Sequence, residues 1–340
     1  MRWSVKKLLL LILLSFFLLI LLLSLGKNYP KEELSYGLTF SKKKAVDLGF
    51  DWKKVYLSIL DELGVKNLRL SAYWDEVEPE SGAFNWSDLD WQVSEATNRD
   101  GRIILAVGGR LPRWPECHFP AWASGLEKSQ REAAILKYIG ETVKRYKDNA
   151  SIKYWQVENE PFLNHFGECP EIDPDFLDKE IALVRSLDSR PIVVTDSGEL
   201  SLWIPAARRA DIFGTTMYRD TYSEHFGVYV HYPIFPGFFH FKKNLAGLFA
   251  KPDKWIVIEL QAEPWGPQPY EKLSQEDRNR TMSLGKLKEM IEFSSKTGFG
   301  EFYLWGAEWW YWEKEVNKNP ELWEYARELF KAKNSGSVNR

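Results

Sequence analysis

The sequence predicts an α/β fold, a closed (β/α)8 TIM barrel, behind an N-terminal transmembrane signal anchor. Three observations carry this expectation. Strand-type and amphipathic segments alternate eight times between residues 36 and 333, and such alternation implies a parallel sheet with right-handed helical crossovers. The first strand is followed by Phe40-Ser41-Lys42-Lys43, not by the glycine-rich turn expected of an open doubly wound sheet. Ahead of the repeats, Leu8 to Leu25 is an uncharged apolar run.

That run is eighteen residues long, within the lower range for spanning a bilayer and longer than a usual signal-peptide core. Arg2, Lys6 and Lys7 precede it and favour an N-in orientation that places the rest of the chain outside the cytoplasm. Lys27 and Lys31 beyond the run weaken the bias, and Ser24-Leu25-Gly26 offers small residues where a signal peptidase reads. The expected organisation is a cytoplasmic stub and single-pass anchor over 1–26, a linker over 27–34, the barrel over 35–333 and a tail over 334–340.

The strand segments are Tyr36–Phe40, Asn67–Ala72, Arg102–Val107, Ile152–Val157, Pro191–Thr195, Ile212–Thr216, Trp255–Glu259 and Glu301–Trp305. Amphipathic stretches between or after them include Trp52–Leu63, Gln130–Tyr146, Phe176–Leu187, Glu276–Ser295 and Glu321–Lys333. Leu200–Arg209 reads as a short helix around Pro205. The sixth connection, about residues 219–244, is long for a barrel, and such loops are usually functional.

Composition narrows the function classes. A formal net charge of −3 gives no basic face for nucleic acid. No Cys/His cluster has zinc spacing and no glycine-rich phosphate loop is present, so neither metal nor cofactor is expected. The two cysteines, Cys117 and Cys169, fall in consecutive loops after strands three and four. They are within reach of a bridge in an oxidising compartment, or they are two separate thiols. The sixteen Trp and fifteen Tyr residues concentrate in the loops, where aromatic faces either stack on sugar rings or fill gaps between barrel and helices.

Two strand ends carry the chemistry. Trp155-Gln156-Val157-Glu158-Asn159-Glu160-Pro161 and Trp255-Ile256-Val257-Ile258-Glu259-Leu260 each run from strand-type residues into a carboxylate. On parallel barrel strands, Glu160 and Glu259 then project into one pocket at the C-terminal face. Two carboxylates facing one cleft are the minimum for cleaving a glycosidic bond. Glu160 suits the acid, which needs a raised pKa. Glu259 suits the nucleophile, with Arg69 at the end of strand two as its cation and Tyr218 after strand six as a donor. Glu263-Pro264 competes for that role from the loop beyond. The plain reading of Asn159-Glu160-Pro161 is a helix start, with Asn as cap and Pro in the first turn.

These segments resemble the clan of retaining glycoside hydrolases built on (β/α)8 barrels, with catalytic carboxylates on strands four and seven. Cellulase-like, xylanase-like and β-galactosidase-like families belong to it. A third match joins Arg69-Leu70-Ser71-Ala72-Tyr73-Trp74, Glu78-Pro79-Glu80-Ser81-Gly82-Ala83-Phe84-Asn85-Trp86 and Leu89-Asp90. The resemblance implies Glu160 as acid/base, Glu259 as nucleophile and Asn159 as ligand of the sugar 2-hydroxyl. It also implies Arg69 and Tyr218 as partners of Glu259, and Trp305 as the platform under the sugar at the cleavage point. The chain departs from the pattern at Ala106-Val107-Gly108-Gly109-Arg110 and at Thr216, where several members carry histidine.

Trp74 and Trp265 are further expected substrate contacts. Trp114, Trp122, Trp203, Trp309, Trp310, Tyr311 and Trp312 also follow strands, and some of them should line a sugar groove. Glu78-Pro79 reads as a structural anchor. In the sixth connection, dense aromatics from Tyr229 to Phe241 precede Lys242 and Lys243, a pattern also met in membrane-interface segments, although a substrate lid or buried loop is the favoured reading. The expected function is hydrolysis of β-linked oligo- or polysaccharides by a membrane-tethered, extracytoplasmic enzyme. Its rival is a membrane-anchored glycan-binding protein with an inactive barrel. A barrel lyase or aldolase would want a Schiff-base lysine or metal ligands at strand ends, and an inverting enzyme a wider carboxylate separation.

Overall fold

The computed structural model describes residues 5–24, 27–164 and 166–335. Eight parallel strands close into a barrel: β1 (Ser35–Thr39), β2 (Asn67–Ser71), β3 (Arg102–Val107), β4 (Ile152–Val157), β5 (Ile192–Asp196), β6 (Ile212–Met217), β9 (Lys254–Gln261) and β10 (Glu301–Trp305). β9 and β10 are thus the seventh and eighth barrel strands. The remaining two, β7 (Asp220–Ser223) and β8 (Val228–His231), form an antiparallel hairpin outside it. Closure comes from β1 pairing with β10 from Ser35↔Glu301 to Thr39↔Trp305.

Period-two alternation sorts the side chains. Leu68 and Leu70 of β2, and Trp155 and Val157 of β4, turn outward into the core shared with the helices. Ile104, Val193, Ile212, Ile256, Ile258 and Tyr303 fill the interior. Gly37 of β1 makes room for Tyr303, because a Cβ there would lie 2.7 Å from its ring. Arg69 of β2 and Gln156 of β4 also turn inward, and they meet by an Arg69 Nε–Gln156 Oε1 hydrogen bond of 2.8 Å.

The eight expected strands are all present, three with the expected ends and the others displaced by at most two residues. Two expectations are corrected. The single helix over Glu276–Ser295 is two, Gln275–Thr281 and Leu284–Ser295, because Ser283 leaves the helix to accept a hydrogen bond from Lys286 N and cap the second. The sixth connection is not an open loop. It holds the β7–β8 hairpin and a helix, Pro236–Ala246, whose Phe239 is buried against Trp203 and Phe293. Lys242 and Lys243 donate to the Gly198 and Gly298 carbonyls, which agrees with the buried-loop reading rather than the membrane-interface one.

The N-terminal run lies in a helix, Val5–Ser24, whose side chains are described over 6–19. Among the described residues no helix is long and apolar enough to cross a membrane. The anchor expected over 1–26 falls partly outside the described residues, as does most of the expected tail.

Between barrel and helices, Glu158 and Glu180 form a buried pair of interacting carboxyls. Glu158 also accepts from Gly109 N at 2.7 Å and Arg110 N at 2.6 Å. Burial raises both carboxyls, and the Glu158 charge lifts Glu180 further. An acid raised in the folded state holds its proton longer than in the unfolded chain. Its contribution is therefore complete below the unfolded carboxyl value and is lost as pH climbs toward the folded one. We expect the melting temperature to fall as pH rises above the ordinary carboxyl range and Glu180→Gln to flatten that fall, by on the order of 1 kcal/mol at the alkaline end. Parallel scanning calorimetry curves for both proteins across that rise in pH would rule the idea out.

Candidate active site

The site sits at the C-terminal ends of the strands, and local irregularities aim its residues. In β9, Ile256 and Ile258 both point inward, so simple alternation would send Glu259 out. The pairing with β6 instead jumps from Thr215↔Val257 to Thr216↔Glu259. A β-bulge of this kind re-aims the next side chain. It turns Glu259 into the barrel mouth, where it is 4% exposed.

β4 ends in a different device. Glu158 and Glu160 both adopt left-handed backbone, φ 58° and 42°, conformations that cost roughly 1–3 kcal/mol each for such residues. No helix follows Glu160 directly; the next begins at Pro174, capped by Asp173. The helix-start reading of Asn159-Glu160-Pro161 is therefore corrected, because Pro161 enters a turn. Glu160 N donates to Thr195 Oγ1 at 2.8 Å, which fixes the kinked segment to β5.

The two carboxylates have opposite surroundings. Glu259 Oε1 accepts from Arg69 Nη1 at 2.7 Å and Oε2 from Tyr218 Oη at 3.0 Å. Both donors stabilise negative charge on it. Glu160 is buried, and its Oε1 has no hydrogen-bond partner. Burial first, then the charges of Glu259, Glu116 and Asp196, push its pKa well above the usual carboxyl value. Arg69, fully buried, also gives Nη2 to Asn159 Oδ1 at 2.6 Å. Asn159 Nδ2 in turn donates to Glu116 Oε2 at 2.9 Å, so one of its two amide hydrogens is already committed.

The sugar platform expected at Trp305 is occupied by side chains. Arg113 lies 4.1 Å from the ring centroid, and Trp305 is 5% exposed. Arg113 reaches from the β3 loop across the mouth to Glu263 Oε1 at 2.6 Å and Glu308 Oε2 at 2.8 Å. Trp305 Nε1 shares Glu263 Oε1 at 2.8 Å, and Ser41 N donates to Glu308 Oε1 at 2.6 Å. Glu263 is thus a partner of Arg113 and Trp305.

Trp74, expected to touch substrate, is fully buried. It packs against Phe119, Trp122 and Tyr138 and donates Nε1 to Glu78 at 2.8 Å, so no face of it is open to a ligand. Glu78 also accepts from Gly82 N, as a structural anchor would. Trp203, Trp309, Trp310, Tyr311 and Trp312 are likewise buried. The aromatics near the mouth are Trp114, Phe166, Trp265 and Tyr218, linked ring to ring at 6.1, 6.0 and 5.5 Å. Trp114 is 58% exposed.

Arg113, Glu116 and Glu308 are site residues that sequence reasoning missed. Glu116 lies beside Cys117, which forms a disulfide with Cys169 across a Cα–Cα distance of 5.3 Å. Among the described residues no group of His, Cys, Asp or Glu could hold a metal ion. Removing Arg113 would leave Glu263 and Glu308 buried without their shared cation. We expect Arg113→Met to cost about 3–5 kcal/mol, read as a lowered urea midpoint; a midpoint equal to the parent's would refute a stabilising role for these ion pairs.

Residues 39–170 match the family described as Glycosyl hydrolase family 10, a span that includes Arg69 and Glu160 but not Glu259. Several solved structures share the fold. An exo-β-1,4-mannosidase from Opitutaceae bacterium strain TAV5 superposes with a TM-score of 0.60 at 13% identity, over 92% of this chain and 62% of that one. Native xylanase 10B from Thermotoga maritima gives 0.57 at 16% identity, over 89% and 96%. The β-galactosidase from the psychrophilic Marinomonas ef1 gives 0.54 at 13% identity, over 80% of this chain and 54% of that one. The chain thus spans less than two thirds of the mannosidase and of the β-galactosidase. At these identities the likeness is one of fold. The partial family match agrees with the resemblance to (β/α)8-barrel glycoside hydrolases, and these neighbours show that the closed parallel barrel is shared with such enzymes.

Proposed function

We propose that the protein is a glycoside hydrolase that cleaves β-glycosidic bonds with retention of configuration. One observation carries this reading. Two carboxylates at one barrel mouth have opposite surroundings: Glu259 accepts from Arg69 and Tyr218, whereas Glu160 is buried with no partner on Oε1 and its pKa is raised. Unlike surroundings of this kind suit two acids to different roles.

Glu259 attacks the anomeric carbon while Glu160 gives its proton to the leaving oxygen. The glycosyl–enzyme ester is then hydrolysed by a water that Glu160 deprotonates. The free amide hydrogen of Asn159 meets the sugar 2-hydroxyl, and Trp114, Phe166 and Trp265 line the approach. With Glu259, Glu263 and Glu308 outnumbering Arg69 and Arg113 in the mouth, the fitting substrate is a β-linked oligo- or polysaccharide without acidic sugars.

Tethering is part of the proposal. The uncharged run Leu8–Leu25 behind Arg2, Lys6 and Lys7 supports a retained, single-pass, N-in helix with the barrel outside the cytoplasm. Release of the full chain from membranes by alkaline carbonate would contradict it.

A second reading, a glycan-binding barrel without turnover, draws on Arg113 covering Trp305. One assay separates the two: full-length protein on aryl β-glycosides and β-glucan, mannan and xylan, with product anomers read by NMR. We expect retention of configuration. Glu160→Gln and Glu259→Gln should each lose about 10²–10⁴ in rate. Glu160→Ala should spare aryl glycosides with good leaving groups, which need no acid. Inverted products would defeat the retaining mechanism, and bound but uncleaved sugar would favour the binding protein.

A further inference from the structure

Glu116 is a buried carboxylate that the two-acid mechanism does not use. Its position is built, because several independent features converge on it. Its backbone is left-handed, φ 73°, and its N–H and C=O close a tight loop through Arg113 O and Leu111 N, each at 2.7 Å. The next residue, Cys117, is bonded to Cys169, and Glu168 N donates to Pro115 O at 2.9 Å. Gly167 presses against the Glu116 side chain so closely that a Cβ there would lie 2.9 Å from it. The loops after β3 and β4 are thus clamped together around this one residue.

Its carboxylate is aimed inward, at the head of a continuous chain. Glu116 Oε2 accepts from Asn159 Nδ2, Asn159 Oδ1 accepts from Arg69 Nη2, and Arg69 Nη1 donates to Glu259 Oε1. An acceptor on one side and a donor on the other leave the Asn159 amide a single orientation. We propose that Glu116 is a positioning residue of the active site: it orients Asn159 for the sugar and places a third negative charge beside Glu160. This inference rests on the hydrolase reading for the role of Asn159 and stands without it for the charge.

The groups facing Glu116 are Glu259 from β9, Arg69 from β2, Arg110 from the β3 loop, and Asn159 and Glu160 after β4. Burial, and next the charge of Glu259, raise its own pKa to about 7. The Glu116 charge in turn raises Glu160. Replacing Glu116 with glutamine keeps an acceptor for Asn159 and removes the charge, so Glu160 must then give up its proton at lower pH.

The test is an NMR titration of the full-length protein carrying glutamate labelled with carbon-13 at the side-chain carboxyl, with Glu160 assigned from Glu160→Gln. We expect Glu116→Gln to lower the Glu160 titration by about half a pH unit or more. Glu116→Asp, which keeps the charge, should return it most of the way and covers the case in which the glutamine variant folds poorly. On active protein the basic limb of kcat/KM should move by the same amount. Glu116→Leu should also shrink the rate difference between 2-deoxy and 2-hydroxy aryl glycosides, since Asn159 is then held from one side only. An unmoved Glu160 titration in Glu116→Gln would overturn the proposal. Failure of the wild type to hydrolyse any substrate would instead defeat the hydrolase reading, leaving the titration to decide the role of Glu116.

Discussion

A single guanidinium organises the centre of this barrel. Arg69 is removed from water, and an unpaired buried cation would cost several kcal/mol. The fold meets that demand with Glu259 from β9, Gln156 from β4 and Asn159 beyond it. The partners come from β9, β4 and the segment just after β4, so satisfying one side chain ties β2, β4 and β9 together at their upper ends. The β9 bulge and the left-handed residues after β4 follow from the same requirement. They are the distortions that bring Glu259 and Asn159 to the guanidinium, and the charge pair offsets their strain.

Above this layer, the loops repeat the arrangement with a second arginine. Arg113 ties the β3 loop to Glu263 and Glu308 and lies on Trp305. The two arginines together neutralise the carboxylates that would otherwise repel in a dry mouth. Glu160 has neither as a direct hydrogen-bond partner. Burial without such a partner raises its pKa, and the acidic neighbours around it raise it further.

Much of this was legible in the sequence. Eight alternations of strand and helix gave the closed barrel, because hydrophobic period reports burial directly. Glu160, Glu259, Arg69 and Tyr218 could be placed together because parallel strands bring their C-terminal ends to one face. The features that escaped have a common physical origin. Trp74 sits just after a strand end, as a substrate residue would, yet four residues on lies Glu78, whose carboxylate takes its indole N–H into the core. Arg113 and Glu116 lie in an irregular stretch whose course depends on a disulfide and on left-handed residues at 113 and 116. No periodicity encodes such a path. Pro-Glu-Cys at residues 115–117 was the one visible hint, since a half-cystine next to a carboxylate fixes where that carboxylate points. The hairpin and helix of the sixth connection went unseen because its aromatics pack against Trp203 and Phe293, elements distant in sequence.

The linker after the N-terminal helix carries a consequence for reach. Tyr29 N donates to Lys296 O, and its ring stacks on His240 at 3.7 Å, so the chain is seated against the barrel before it enters β1 at Ser35. Because every barrel strand runs the same way, β1 begins at the floor, opposite the mouth where Glu160 and Glu259 lie. Five to six residues of strand place those ends ~17–20 Å apart. A protein held to a surface by this linker would stand on its base with its opening turned outward. It would meet long chains arriving from the surroundings more readily than headgroups beneath it.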